Sequence, residues 1–126
     1  MIKIEGKTIY INRGDSQTFE LKIPISDTEF YQFKTSDVIK FGVYEANGLN
    51  KNALILKTIV PESPTDSIKI ILLKNDTTIG ELRNTKTTFW YEITLNDNTI
   101  VGYDENGAKE FILYPEGSDI KWWILF

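Results

Sequence analysis

Cysteine and histidine are absent from this 126-residue chain. With no cysteine there is no disulfide and no thiolate site. With no histidine the chain lacks the commonest general base, the commonest metal ligand and the usual charge switch near neutral pH. A basic excess is also missing. Lys and Arg number 14 against 18 Asp and Glu, interspersed along the chain, for a net charge of −4. Nucleic-acid binders usually carry a basic footprint, so no nucleic-acid partner is expected. The opening MIKIEGKTIYI holds no long apolar core of a signal peptide. The longest apolar run is Trp122–Phe126. It is far shorter than the roughly 20 residues of a membrane-spanning helix, so no membrane partner is expected. The lack of disulfides does not exclude secretion.

A chain of this length makes one domain, 1–126, and buries roughly two-thirds of its unfolded surface, enough for a core without staples. The stretch Thr87–Asn96, TTFWYEITLN, organises it. In steps of two, Thr87, Phe89, Tyr91, Ile93 and Leu95 fall on one side, and Thr88, Trp90, Glu92, Thr94 and Asn96 on the other. That alternation is a strand with one apolar face, which a second sheet must cover. The same pattern predicts strands at Ser16–Ile25, Val38–Glu45, Leu54–Val60, Thr99–Tyr103 and Lys109–Tyr114, and alternation near Ile2–Ile4 and Ile9–Ile11. Ile68–Leu73 is strongly apolar, which predicts burial on both faces or a central position. Turn chemistry separates the strands: Asn12–Asp15, the Asn-Gly within Ala46–Asn52, Pro61–Asp66, Asn96–Asn98, Asp104–Gly107 and Pro115–Asp119. Asn75 and Asp76 are good N-caps, and Ile79 and Leu82 are spaced three apart, which predicts one short helical turn near 75–82. Phe30, Tyr31 and Phe33 form an aromatic cluster expected to cover one end of the core. The expected fold is all-β: an Ig-like antiparallel β-sandwich of about seven to nine strands.

Several stretches carry a resemblance. Gly14-Asp15-Ser16 opens a strand, Ser36–Val43 (SDVIKFGV) forms one, and Asp76-Thr77-Thr78 precedes the aromatic Phe89–Ile93 (FWYEI). With the terminal Gly102–Asp119 (GYDENGAKEFILYPEGSD) these stretches resemble small β-sandwich structural proteins of tailed phages and prophages of Gram-positive bacteria. The group includes the N-terminal domain of the baseplate upper protein type. The resemblance implies a structural role in a baseplate or tail, with other virion proteins or further copies of the chain as partners. It places the protein in the virion, or in the host bacterial cytoplasm during assembly.

Candidate sites are sparse. Arg13-Gly14-Asp15 matches an integrin-binding tripeptide, but a turn before a strand accounts for its Gly and Asp independently. Asp97, Asp104, Glu105 and Asn106 offer oxygens for Ca²⁺, yet their spacing fits no EF-hand loop, and two solvated turns explain them. No pair stands out among the acids for glycoside hydrolysis, and no SxxK or GxSxG motif is present. No catalytic residue, metal ligand or cofactor is therefore assigned, and the expected protein is not an enzyme. Trp90 lies on the face away from Phe89 and Tyr91. There it serves as a glycan platform or is covered by a loop, a strand or a partner. The apolar segment 120–126 ends in Trp122, Trp123 and Phe126. It packs as a final strand, docks into a neighbouring subunit, or stays loose. Trp122, Trp123 and Phe126, with Trp90 as a second patch, are the expected interface anchors, because aromatic anchors dominate interface energetics.

Overall fold

A computed structural model of the chain describes residues 2–3, 8–45, 52–80, 82, 84–102 and 107–118. The strands are β1 (Ile2–Lys3), β2 (Ile9–Asn12), β3 (Gln17–Leu21), β4 (Ile39–Tyr44), β5 (Ala53–Ile59), β6 (Ile68–Leu72), β7 (Thr87–Leu95), β8 (Asn98–Val101) and β9 (Glu110–Tyr114). No helix occurs among the described residues, so the protein is all-β. In place of the helical turn expected near 75–82, residues 74–77 form consecutive turns. Asp76 caps them by accepting from the Leu73 amide at 2.7 Å, and the Asp76 amide returns a bond to the Leu73 carbonyl at 2.9 Å. Thr77 and Thr78 then bond with their own hydroxyls to the carbonyls of Lys74 and Asn75, competing with helical continuation.

Two sheets enclose one core. The larger has six strands in the order β2-β9-β7-β4-β5, with β8 also paired to β7. The smaller has three, in the order β1-β3-β6. The organising strand is central, as its pattern predicts. β7 pairs with β4 on one side, and on the other with β9 along Thr87–Trp90 and β8 along Ile93–Leu95. Pairing is not purely antiparallel: β1 runs parallel to β3, and β2 parallel to β9. The β7–β8 hairpin turns on Asn96 and Asp97, with φ of 51° and 68°. Positive φ at both central residues is the turn whose twist matches a hairpin, and Asn and Asp tolerate it.

The core draws on both sheets. Phe19 and Leu21 of β3 and Ile70 and Leu72 of β6 meet Phe41 of β4, Ile93 of β7 and Phe111 of β9, each at most 1% exposed. Phe41 sits among rings, 5.7 Å from Tyr91 and 6.5 Å from Phe111 between centroids. Each such side chain contributes roughly 1.5–3 kcal/mol through burial. Of the aromatic cluster, Phe33 is fully buried and Tyr31 packs against the core, but Phe30 is exposed. Phe30 instead bridges to Pro24 and lies under the Lys22 ammonium. β3 stops at Leu21, short of the expected Ile25, because the chain turns there into that bridge.

β6 departs from expectation. Its burial alternates, with Ile68, Ile70 and Leu72 inside and Lys69 and Ile71 outside. It also ends the described order of the small sheet. The strongly apolar stretch is therefore a strand buried on one face, not on both.

Candidate functional site

The outer face of the large sheet gathers the polar-side residues of the alternating strands. Trp90 stands directly between Tyr44 of β4 and Glu110 of β9. Gly42, one pair further along, sits between Leu56 of β5 and Glu92 of β7. The phenol end of Tyr44 lies over Gly42: a Cβ there would meet the Tyr44 Oη at 2.5 Å and Cζ at 2.8 Å. The missing side chain is thus the seat of the ring, which buries the Gly42 backbone. Nearer the other edge, Tyr10 pairs with Ile112, and the Tyr10 and Tyr114 rings lie 6.1 Å apart. Trp90, Tyr44, Tyr10 and Tyr114 are all half-buried. Chemically this face offers apolar area and ring planes with carboxylates beside them.

The most exposed apolar side chains of the large sheet lie on β5 and just beyond it. Leu54 is 37% exposed, Leu56 57% and Val60 53%. Ile71 and Leu73, on and just after β6, are also exposed. Both strands are sheet edges among the described residues.

The ionisable groups with shifted behaviour are bound up in the scaffold. The Lys34 amide, the Asn96 side-chain amide and the Tyr31 hydroxyl all donate to Asp37, at 2.8, 2.9 and 2.8 Å. In that order they hold its carboxyl below the usual carboxylate range. The Asp37 carboxylate in turn raises the Tyr31 hydroxyl above its ordinary value, first through their hydrogen bond. Burial pushes the Asp76 carboxyl up, but the Lys57 ammonium at 2.7 Å and the Leu73 amide outweigh it, so the net shift is downward. Burial alone raises the Tyr91 hydroxyl. An acid held ionised by donors is a poor proton donor near neutral pH, so neither Asp37 nor Asp76 is tuned as a general acid.

Arg13 is committed to structure. Its guanidinium donates to the carbonyls of Ile79 at 2.7 Å and Thr78 at 3.2 Å. Gly14, at φ +83°, brings its amide to the Thr77 carbonyl, while the Thr77 hydroxyl donates to the Asp15 carbonyl. The Arg-Gly-Asp turn is therefore a clamp on the 77–79 loop, and its arginine is not presented to a receptor. Of the oxygens considered for Ca²⁺, Asp97 is described; its carboxylate lies 3.7 Å from the Lys40 ammonium. Asp104, Glu105 and Asn106 lie outside the described residues, as do Trp122, Trp123 and Phe126 and the Asn-Gly connection of 46–51. Of the four expected anchors, Trp90 alone is placed.

No family model, curated protein or solved structure matches the chain.

Three features escaped sequence reasoning. The Asn96 amide joins Asp37 from a distant strand end, and Tyr31 reaches the same carboxylate from a neighbouring loop. The Lys57–Asp76 pair ties β5 to the loop after β6. The seat of Tyr44 on Gly42 had one visible signal, a glycine inside a strand pattern, which often marks a close approach.

Proposed function

We propose that this protein is a non-enzymatic structural or assembly component of a phage or prophage particle, in the baseplate or tail, acting by burying surface against other virion proteins or copies of itself. The exposed apolar strip of Leu54, Leu56 and Val60 on a sheet edge carries the reading. Exposed apolar surface grouped on one edge marks an interaction surface more often than scattered exposure does. The resemblance at Gly14–Ser16, Ser36–Val43, Asp76–Thr78 and Phe89–Ile93 supplies the particle context. The strand order supports the Ig-like type within the two-sheet fold. β4, β7 and β9 take the C, F and G positions, β5 takes the added C′ position, and β3 with β6 takes B and E. Trp122, Trp123 and Phe126 remain the proposed anchors in the terminal segment, with Trp90 as the second patch.

Light scattering on the full chain and on a chain ending at Asp119 tests this reading. A defined oligomer that becomes a folded monomer on truncation supports anchoring by the terminal segment. A full chain that is monomeric at every concentration, and whose truncation unfolds, removes the anchor assignment.

A second reading is favoured by the phenol of Tyr44 on Gly42 beside Trp90. In it the outer face is a carbohydrate-binding platform. It predicts a monomer retarded in polysaccharide-containing gels, with the retardation lost in Trp90→Ala.

A further inference from the structure

Among the described residues β5 has a neighbour, β4, on one side only. Its open side presents a row of backbone donors and acceptors along Ala53–Ile59, and another extended strand is the partner that matches such a row. Proteins commonly block such an edge with an outward charge, a proline or an inward-pointing lysine. Ala53–Ile59 contains no proline, and its one charged residue is Lys57. Lys57 shares the inner face with Ile55 and Ile59, where an unpaired ammonium would resist pairing by its desolvation cost. That cost is already met, because the ammonium lies 2.7 Å from the Asp76 carboxylate in the same chain. The outer side of the strand carries Leu54, Leu56 and Thr58 in succession, with no charge to repel a partner.

A second copy of β5 fits this edge. In an antiparallel pair related by a two-fold axis, both outer faces stay on one side, so residues of like facing meet. The register that uses all of Ala53–Ile59 sets Leu56 opposite Leu56 of the second copy. Leu54 then meets Thr58, and Ile55 meets Lys57, so no like charges oppose. Sliding by one pair toward the C-terminal end would set Lys57 opposite Lys57, which is disfavoured. We propose that two copies of this chain associate through their β5 edges, antiparallel and centred on Leu56, joining two six-stranded sheets into one. This deepens the assembly reading, on which it rests, by naming the partner as a second copy. The contact is one strand wide, at the small end of specific interfaces, so the dimer is a weak one.

Sedimentation equilibrium of the full chain over a concentration series tests the pairing, with Leu56→Lys and Leu56→Glu alone and mixed in equal amounts. Each variant alone weakens dimerisation about tenfold or more, because like charges then face each other across the axis. The mixture recovers a heterodimer, since opposite charges meet at that one pair. Residue 56 is exposed, and circular dichroism checks that both variants fold; if either fails, Leu54→Lys mixed with Thr58→Glu tests the same register. Dimerisation unchanged in both Leu56 variants, or no recovery on mixing, overturns the proposal. Suppose association survives Leu56→Lys but is lost in Trp122→Ala/Trp123→Ala. Then β5 pairing is wrong and the assembly reading stands. A wild-type chain that stays monomeric, and binds polysaccharide through Trp90, overturns both.

Discussion

Lys57 is the only charged residue of β5, and its contact with Asp76 ties the edge of the large sheet to the loop leaving the small one. The two side chains are 27% and 22% exposed, so the pair is neither freely solvated nor fully desolvated. Direct attraction at 2.7 Å is about 6 kcal/mol with an effective dielectric near 20. Partial desolvation of both ions offsets much of it. A coupling of about 1–2 kcal/mol remains, above the range of about 0.2–1 kcal/mol typical of exposed pairs. The perturbation is a double-mutant cycle with Lys57→Met and Asp76→Asn. Asparagine keeps an oxygen for the Leu73 amide, so the cycle isolates the charge pair. Urea unfolding of the four proteins, at a concentration too low for association, reads the coupling.

The pH dependence supplies an independent check with a defined sign. The folded-state value of Asp76 lies below its unfolded value. Its stabilisation is therefore fully present above the ordinary carboxylate range, and it is lost as pH falls through the folded-state value. The coupling measured near pH 7 should shrink toward zero in acid as Asp76 protonates. A coupling under about 0.3 kcal/mol near neutrality, or one unchanged in acid, would refute the reasoning. The same pair bears on β5 association. Asp76→Asn leaves an unneutralised Lys57 facing inward at the edge and should weaken dimerisation, whereas the double variant should restore it.

Other outcomes follow from single positions. Gly80 has φ +72°, and a Cβ there would meet the Phe89 Cζ at 2.9 Å, so Gly80→Ala should cost about 2–3 kcal/mol in urea unfolding. Gly42→Ala should cost less, about 1 kcal/mol, because the Tyr44 ring can lift, and near-ultraviolet circular dichroism should register its displacement beside Trp90. Arg13→Ala removes two hydrogen bonds to the 78–79 carbonyls and should lower stability by about 1–2 kcal/mol, again by urea unfolding. Asp37 is held ionised by three donors, so its stabilisation is present above its unfolded value and lost as pH falls through the lower folded-state one. Asp37→Asn should therefore be less stable than wild type near neutrality, and the gap should narrow in acid when thermal midpoints are compared.

Alternation made the layers legible. Phe89, Tyr91 and Ile93 are buried as their spacing predicts, as are Phe41 and Val43 opposite them. Side chains two apart share a face whatever the partners are, so this signal survives ignorance of topology. The order of strands was not legible, because nothing local distinguishes an edge from a centre. Ile68–Leu73 shows this. A strongly apolar run fits a doubly buried strand, yet Lys69, Ile71 and Leu73 stand exposed, and β6 lies at the end of the described order of its sheet. The helical turn near 75–82 is absent for a related reason: Asp76 accepts from the Leu73 amide behind it and caps no helix, and Thr77 and Thr78 use their side chains to close turns.

The same limit explains why sequence reasoning turned to aromatic residues and did not single out the exposed side chains of β5. Aromatic residues announce themselves by type, whereas Leu54, Leu56 and Val60 are ordinary strand residues whose exposure depends on lying at an edge. The Lys57–Asp76 contact joins residues nineteen positions apart through the meeting of two sheet edges, so its neutralising effect is invisible until both sheets are placed. A strand that looks guarded by an inward lysine in the sequence becomes, once that lysine is paired, an edge with only apolar and uncharged groups facing out.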